Sequence, residues 1–364
     1  METSPRTPLL SPASGRSWKW VARAVGLSLI GMALFLPASR AVAAKRNDGP
    51  VPIFLSTDLG CEIDDQWPLL HLLGDPHFDL QVVATAQAPA DSVPAPAADT
   101  SAALALHILQ KRLKLSNPPR VVTGSNQPLS DERTPRASSA MDALLQAAKP
   151  FSPRNRLTVL VIGAATDVAS ALLADPTLAN RIQIVAMGFR SAEDGDEFNI
   201  RNDPHAWRVI LSSSVPLVIG DQAVTSRRLS LTRDEARKAL DSLGPIGTWL
   251  LRDYDVWYER VTREFQNPGR PGEPPSWPIW DEVVVAHLLG KTRVQVRSRP
   301  MLTQDLKLVE TGSGKVSWVT DLDRAAVFAA FKSSVSRLAQ RKDLVDHPCV
   351  TIAREANACW REVP

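Results

Sequence analysis

Val51-Pro-Ile-Phe-Leu-Ser-Thr-Asp58-Leu-Gly-Cys-Glu-Ile-Asp64-Asp65-Gln-Trp67 joins an apolar run to a turn that carries three aspartates. Ile53, Phe54 and Leu55 have the pattern of a short buried strand, and Gly60 permits a turn. An apolar helix is predicted from about Asp64 to Leu73, with Pro68 tolerable near its first turn. The acids therefore gather at the carboxyl end of a strand, the edge at which open α/β sheets bind their ligands. Three carboxylates there can hold a divalent cation. The plainer reading is that Asp64 or Asp65 caps the helix and Asp58 hydrogen-bonds the turn, since aspartate is favoured at both kinds of position.

Upstream of this segment, Arg6, Arg16, Lys19 and Arg23 precede an apolar stretch, Ala24 to Leu36, and a small-residue run ending Ala41-Val42-Ala43. This order predicts a cleaved secretory signal peptide over residues 1–43 and an exported, secreted or periplasmic protein. The apolar stretch falls short of the roughly 18 residues a membrane span requires, so no stable anchor is expected after cleavage. Residues 1–43 hold five of the 42 Lys+Arg and one of the 39 Asp+Glu, leaving 37 basic and 38 acidic residues. A near-neutral mature chain gives no electrostatic reason to expect nucleic acid as a partner. Of three cysteines, Cys349 and Cys359 are expected to pair and Cys61 to stay free. A nucleophilic role for Cys61 lacks a histidine nearby in sequence.

Downstream, strand and helix patterns alternate. Strands are predicted at Leu80 to Thr85, Arg120 to Gly124, Leu157 to Gly163, Ile182 to Met187 and Val215 to Ile219, with helical patterns between them. Leu157-Thr-Val-Leu-Val-Ile-Gly163 is nearly unbroken in apolar character, as expected of a parallel strand covered on both faces. The fold class is therefore α/β, a Rossmann-like, mostly parallel sheet flanked by helices, forming one domain over residues 44–364. No G-x-G-x-x-G follows the first strand and no Walker loop is present, so a nucleotide-binding Rossmann signature is excluded. Later segments are more helical: Thr232 to Leu243, capped by Thr232 or Asp234, an aromatic-rich helix from Pro245 to Phe265, and a last helix near Arg324 to Leu338. Strands are expected at Val294 to Arg297 and Lys307 to Val319, the latter broken by a Gly312-Ser-Gly turn. The proline-rich stretches Ala86 to Ala98 and Gln266 to Pro278 read as loops that wall a site.

Four separated segments read together: Asp58 with Asp64-Asp65; Gly163-Ala-Ala-Thr166-Asp-Val-Ala; Glu197-Phe-Asn199-Ile-Arg-Asn-Asp203-Pro; and Trp277-Pro-Ile-Trp280-Asp281-Glu. With Val121-Val-Thr-Gly-Ser-Asn-Gln-Pro-Leu129, they resemble the inosine/uridine-preferring nucleoside hydrolase family over nearly the whole mature chain. The resemblance implies Ca²⁺ held by Asp58, Asp65, Asp281 and the Thr166 carbonyl, a hard-oxygen set with positions left for water and sugar hydroxyls. It implies Asp58 as the base for an attacking water, and Asp64, Glu197 and Asn199 as contacts to a ribosyl substrate. Gln87 stands where relatives often carry an asparagine, and Trp280 where many carry a histidine that helps the base depart. Five residues separate Asp58 from Asp64 where the family has three, and Ser56 replaces an aspartate. The implied substrate is a small nucleoside, and the implied assembly a homo-oligomer. These departures keep two rivals open: a non-catalytic nucleoside- or sugar-binding protein, and a hydrolase of a different glycoside with Trp280 stacking on a sugar. Asp281 could also be only a helix cap, and Trp280 only core. His71, His107, His205 and His287 fall in predicted helices without metal-ligand spacing and read as structural or surface residues.

Overall fold

The computed structural model describes residues 49–340 except 91 and 265–274. The signal segment, the Cys349–Cys359 pair and most of the Gln266 to Pro278 loop lie outside the described residues. Strands β1 (Val51–Thr57), β2 (Phe78–Thr85) and β3 (Arg120–Thr123) alternate with helices α1 (Gln66–Gly74), α2 (Ala97–Leu106) and α3 (Ser139–Ala147). The second half of the winding is β4 (Leu157–Ile162), α4 (Thr166–Ala174), β5 (Ile182–Met187), α5 (Phe198–Asn202), α6 (Pro204–Ser212) and β6 (Leu217–Gly220). Then follow α7 (Gln222–Leu229), β7 (Ser230–Thr232), α8 (Arg233–Leu240), α9 (Gly244–Glu264), β8 (Ser276–Pro278) and α10 (Glu282–Leu288). A long hairpin, β9 (Thr292–Leu302) and β10 (Leu308–Leu322), precedes α11 (Arg324–Ala339).

The main sheet runs β3-β2-β1-β4-β5-β6-β10-β9, parallel throughout except for the edge strand β9. The chain winds one way from β1 to β3 and the other way from β4 to β6, so the order reverses between β1 and β4. A crevice opens at the carboxyl ends of strands at such a reversal. Asp58 directly follows β1, and Gly163 directly follows β4 beside it. A β-carbon on Gly163 would stand 2.7 Å from the Asp58 backbone nitrogen and 2.8 Å from its Oδ1, so glycine is required for this close approach.

All six residues of β4 are buried, as its unbroken apolar pattern predicts, because hydrophobic layers cover both faces of the sheet. On one face Trp67 of α1 stacks on Phe331 of α11 with ring centroids 4.5 Å apart. This packing anchors the helix that follows the acidic turn. The expected cap of α8 is Thr232, which forms a capping box with Glu235. The Gly312-Ser-Gly segment differs from its expected turn: β10 runs through it, with a register shift between Glu310 and Lys315. Gly314, at φ +70°, supplies the left-handed backbone of that irregularity. Ser276 to Pro278, expected as loop, pairs with β7 in a small antiparallel sheet. No helix of the described residues is long and apolar enough to cross a membrane.

Candidate active site

At the crevice between β1 and β4 a cavity of about 50 Å³ is lined by Asp58, Glu62, Asp64, Asp65, Glu197 and Asp281, together with Asn199, Phe198, Trp280 and others. That volume admits a cation and a few waters. The turn after β1 is drawn tight by the Cys61 amide, which donates to the Asp58 carbonyl at 2.9 Å. Asp65 occupies the N-cap position of α1, yet its side chain makes no capping bond. Its Oδ1 instead accepts from the Thr57 hydroxyl. Asp281 likewise sits at the N-cap of α10 without capping it through its side chain. The two plain capping readings therefore fail for the same reason: both carboxylates turn inward.

Ligand atoms of Asp64, Asp65 and Asp281 lie within 4.8 Å of one another, all three residues buried. The Asp281 amide donates to Asp64 Oδ2 at 3.3 Å, which draws the acidic turn and the start of α10 together. Behind them, the fully buried His71 Nδ1 and Glu282 Oε1 pair α1 with α10. This contact holds the helices whose first residues follow Asp65 and Asp281, a structural role consistent with the sequence reading of His71. The tight trio is not the one expected, since Asp64 rather than Asp58 joins Asp65 and Asp281.

Among the described residues, no lysine, arginine or histidine lines this cavity. Burial pushes the Asp58 carboxyl up to about 8, with the charges of Asp64 and Glu197 adding to it. Burial raises Asp64 to about 6 and Glu197 to about 7, and drives Asp65 and Asp281 well above the usual carboxylate range. Buried acids without a countercharge resist ionising. A set of converging hard oxygens in that condition fits a divalent cation, which would supply the missing charge.

Glu197 caps α5 by accepting from the Ile200 amide at 3.3 Å, and Asn199 follows two residues later. Trp280 is held by a 2.8 Å bond from its indole nitrogen to the Ser226 hydroxyl and meets Trp277 edge-on at 5.4 Å. Trp280 thus forms wall rather than interior core. Described residues of both proline-rich stretches back these walls. Ala88, Val93 and Ala97 pack with Cys61 and Phe198, and Trp277 donates to Glu62 Oε2 at 3.2 Å.

Two expected site residues stand elsewhere. Gln87 does not line the cavity, because its amide donates to the Asn202 carbonyl at 2.7 Å. Thr166 does not line it either: as the first residue of α4, it gives its hydroxyl to Asp203 at 2.7 Å while its carbonyl accepts from Ser170 at 2.7 Å. Ile162, which ends β4 beside Thr57, lines the cavity in its place. Sequence reasoning also missed Glu62, Met187 and Gln222 as lining residues. The two extra residues between Asp58 and Asp64 were the available signal for Glu62, since a longer turn brings one more side chain to the mouth. Met187 and Gln222 carry no such mark, because they meet the site only through β5 and the end of β6.

The model of the inosine-uridine preferring nucleoside hydrolases matches residues 53–329. An uncharacterized protein of Schizosaccharomyces pombe is 29% identical over 179 residues, 47% of this chain and 56% of that protein. A putative pyrimidine-specific ribonucleoside hydrolase of Shigella dysenteriae is 24% identical over 211 residues, 56% of this chain and 72% of the relative. The chain thus spans between about half and three quarters of the length of these curated relatives. Among solved structures, a plant nucleoside hydrolase superposes with a TM-score of 0.63 at 18% identity, over 79% of this chain and 99% of the other. A purine-preferring ribonucleoside hydrolase from Gardnerella vaginalis gives 0.64 at 18% identity with the same coverage. Identities this low bear on the fold, while the family model spans strands, acidic turn, Glu197 segment and Asp281 together. The chain belongs to the inosine-uridine preferring nucleoside hydrolase family.

Proposed function

We propose that the protein is an exported, Ca²⁺-dependent hydrolase of N-ribosyl bonds that releases base and ribose from nucleosides. The observation that carries this reading is the set of buried, uncompensated carboxylates at the point where the sheet order reverses. Asp64, Asp65 and Asp281 hold the cation, and the all-oxygen donor set favours calcium over softer metals. When bound, the cation polarises a neighbouring water and sugar hydroxyls. Asp58, at the border of the trio, accepts the proton of the water that attacks the anomeric carbon. Glu197 and Asn199 orient the ribose and favour the positive charge that grows on its ring as the bond to the base lengthens. Relatives named as ribonucleoside hydrolases support the substrate class, and they divide between pyrimidine-specific and purine-preferring enzymes. Export rests on the pattern of residues 1–43 and is tested by fractionating cells that express the full chain.

A second reading, a non-catalytic calcium-dependent nucleoside- or sugar-binding protein, draws on one observation: among the described residues, no histidine lines the cavity to protonate a departing base. Incubating the protein with uridine and inosine, with calcium and with chelator, separates the two. Hydrolysis that chelator abolishes supports the enzyme. Binding by calorimetry without release of base supports the binding protein.

A further inference from the structure

Asp65 and Asp281 each stand at the N-cap position of a helix and make no capping bond through the side chain, so neither carboxylate is fastened by its own helix start. A polar contact that relates the two helix starts lies one layer behind them. Glu282, the residue after Asp281, opens α10, and His71 lies six residues after Asp65, about 9 Å along α1. His71 Nδ1 meets Glu282 Oε1, with both side chains at 0% exposure. Their remaining polar atoms, His71 Nε2 and Glu282 Oε2, have no hydrogen-bond partner among the described residues. Around the pair the surroundings are apolar: the His71 ring meets Phe331 edge-on at 5.8 Å, and Trp67, Leu70, Val283, Val284 and Val285 belong to the same buried layer.

Such a contact adds little net stability, because burying both groups offsets much of what the bond returns. Apolar side chains of like volume often hold two helices together at least as well. What the bond adds is direction. Hydrophobic contact is non-directional and lets helices slide and rotate against one another, whereas a hydrogen bond weakens steeply with distance and angle. The bond therefore fixes how far the start of α10 lies along α1. With it goes the separation of Asp281 from Asp64 and Asp65, whose ligand atoms lie within 4.8 Å of one another. Calcium takes its oxygens at about 2.3–2.6 Å, so a small slip between the helices withdraws a ligand.

We propose that His71 and Glu282 are positioning residues for the cation, which set the spacing of Asp64, Asp65 and Asp281 before it binds; this rests on the calcium reading above. Ligands spaced in advance need not be assembled at binding, so the pair acts on affinity more than on stability. The test is calcium titration calorimetry on chelator-stripped protein, beside urea denaturation of the same metal-free samples. The double variant His71→Leu with Glu282→Met replaces the polar contact by apolar side chains of similar size. It is expected to unfold at a urea concentration no lower than the parent's and to bind calcium at least tenfold more weakly. Glu282→Gln, which can still bond to His71, is expected to bind within threefold of the parent. A merely structural contact would leave affinity in place, so equal calcium affinity in parent and double variant overturns the proposal and leaves the calcium reading standing. Should the double variant fail to fold by circular dichroism, Glu282→Met alone is compared with Glu282→Gln, and equal affinities again overturn it. A parent that binds no calcium overturns the proposal and the calcium reading together. The expected pattern of affinities in a protein that cleaves no nucleoside upholds the positioning role while the hydrolase reading falls.

Discussion

Asp203 and Asp65 are both buried aspartates, both next to a helix start, and they have opposite surroundings. The Asp203 carboxylate accepts from the Leu129 amide at 2.8 Å, the Ala206 amide at 2.9 Å and the Thr166 hydroxyl at 2.7 Å. Asp65 accepts from the Thr57 hydroxyl and shares its space with other acids. A carboxylate met by three donors ties distant segments together. One left among acids resists ionising until a cation arrives. The first is an architectural joint between the segment after β3, α4 and α6, and the second belongs to a site.

The largest effect is expected from Asp58→Asn, which should lower kcat/KM about 10²- to 10⁴-fold while leaving the metal-free protein no less stable than the parent. A loss of activity accompanied by unfolding would instead make Asp58 another joint. Asp203→Ala should unfold about 3 kcal/mol more readily, because three buried donors lose their acceptor; urea denaturation measures this. A change within experimental error would remove the distinction drawn above.

A third test concerns pH. Asp58, Asp64 and Glu197 have folded values raised to about 8, 6 and 7, so the folded metal-free protein binds more protons than the unfolded chain between about pH 4 and pH 8. Stability of the metal-free protein should therefore fall as pH rises through that window. Calcium should raise the melting temperature more at pH 8 than at pH 5, and should release protons on binding, measurable by calorimetry in two buffers. Stability that rises from pH 4 to 8 without metal would contradict the uncompensated site. The smallest effect is expected from Thr166→Val, which removes one hydroxyl from the Asp203 joint, about 1 kcal/mol, with calcium affinity unchanged within twofold. A large loss of affinity would return Thr166 to the site.

Much of the architecture was legible because apolar periodicity is local: β4 and β5 begin and end within a residue of the predicted bounds. The Gly312-Ser-Gly segment was misread because glycine permits both a turn and a strand irregularity, and only pairing with β9 distinguishes them. Asp58, Asp64, Asp65, Glu197, Asn199, Trp280 and Asp281 do line one cavity. Thr166 and Gln87 do not, since each found a nearer partner in a segment distant in sequence, Asp203 for one and Asn202 for the other.

From the order of residues alone came the alternating α/β plan, the delivery of acids to a strand's end and the family resemblance, because each depends on residue type and spacing within a short stretch. Tertiary structure decided which acids converge, which helix starts leave their aspartates uncapped, and that Glu62 stands beside Trp277. Those outcomes depend on where β1, β4 and α10 meet, and hydrogen-bond partners more than two hundred residues apart, such as Asp64 with Asp281, are set by folding rather than by neighbourhood in the chain.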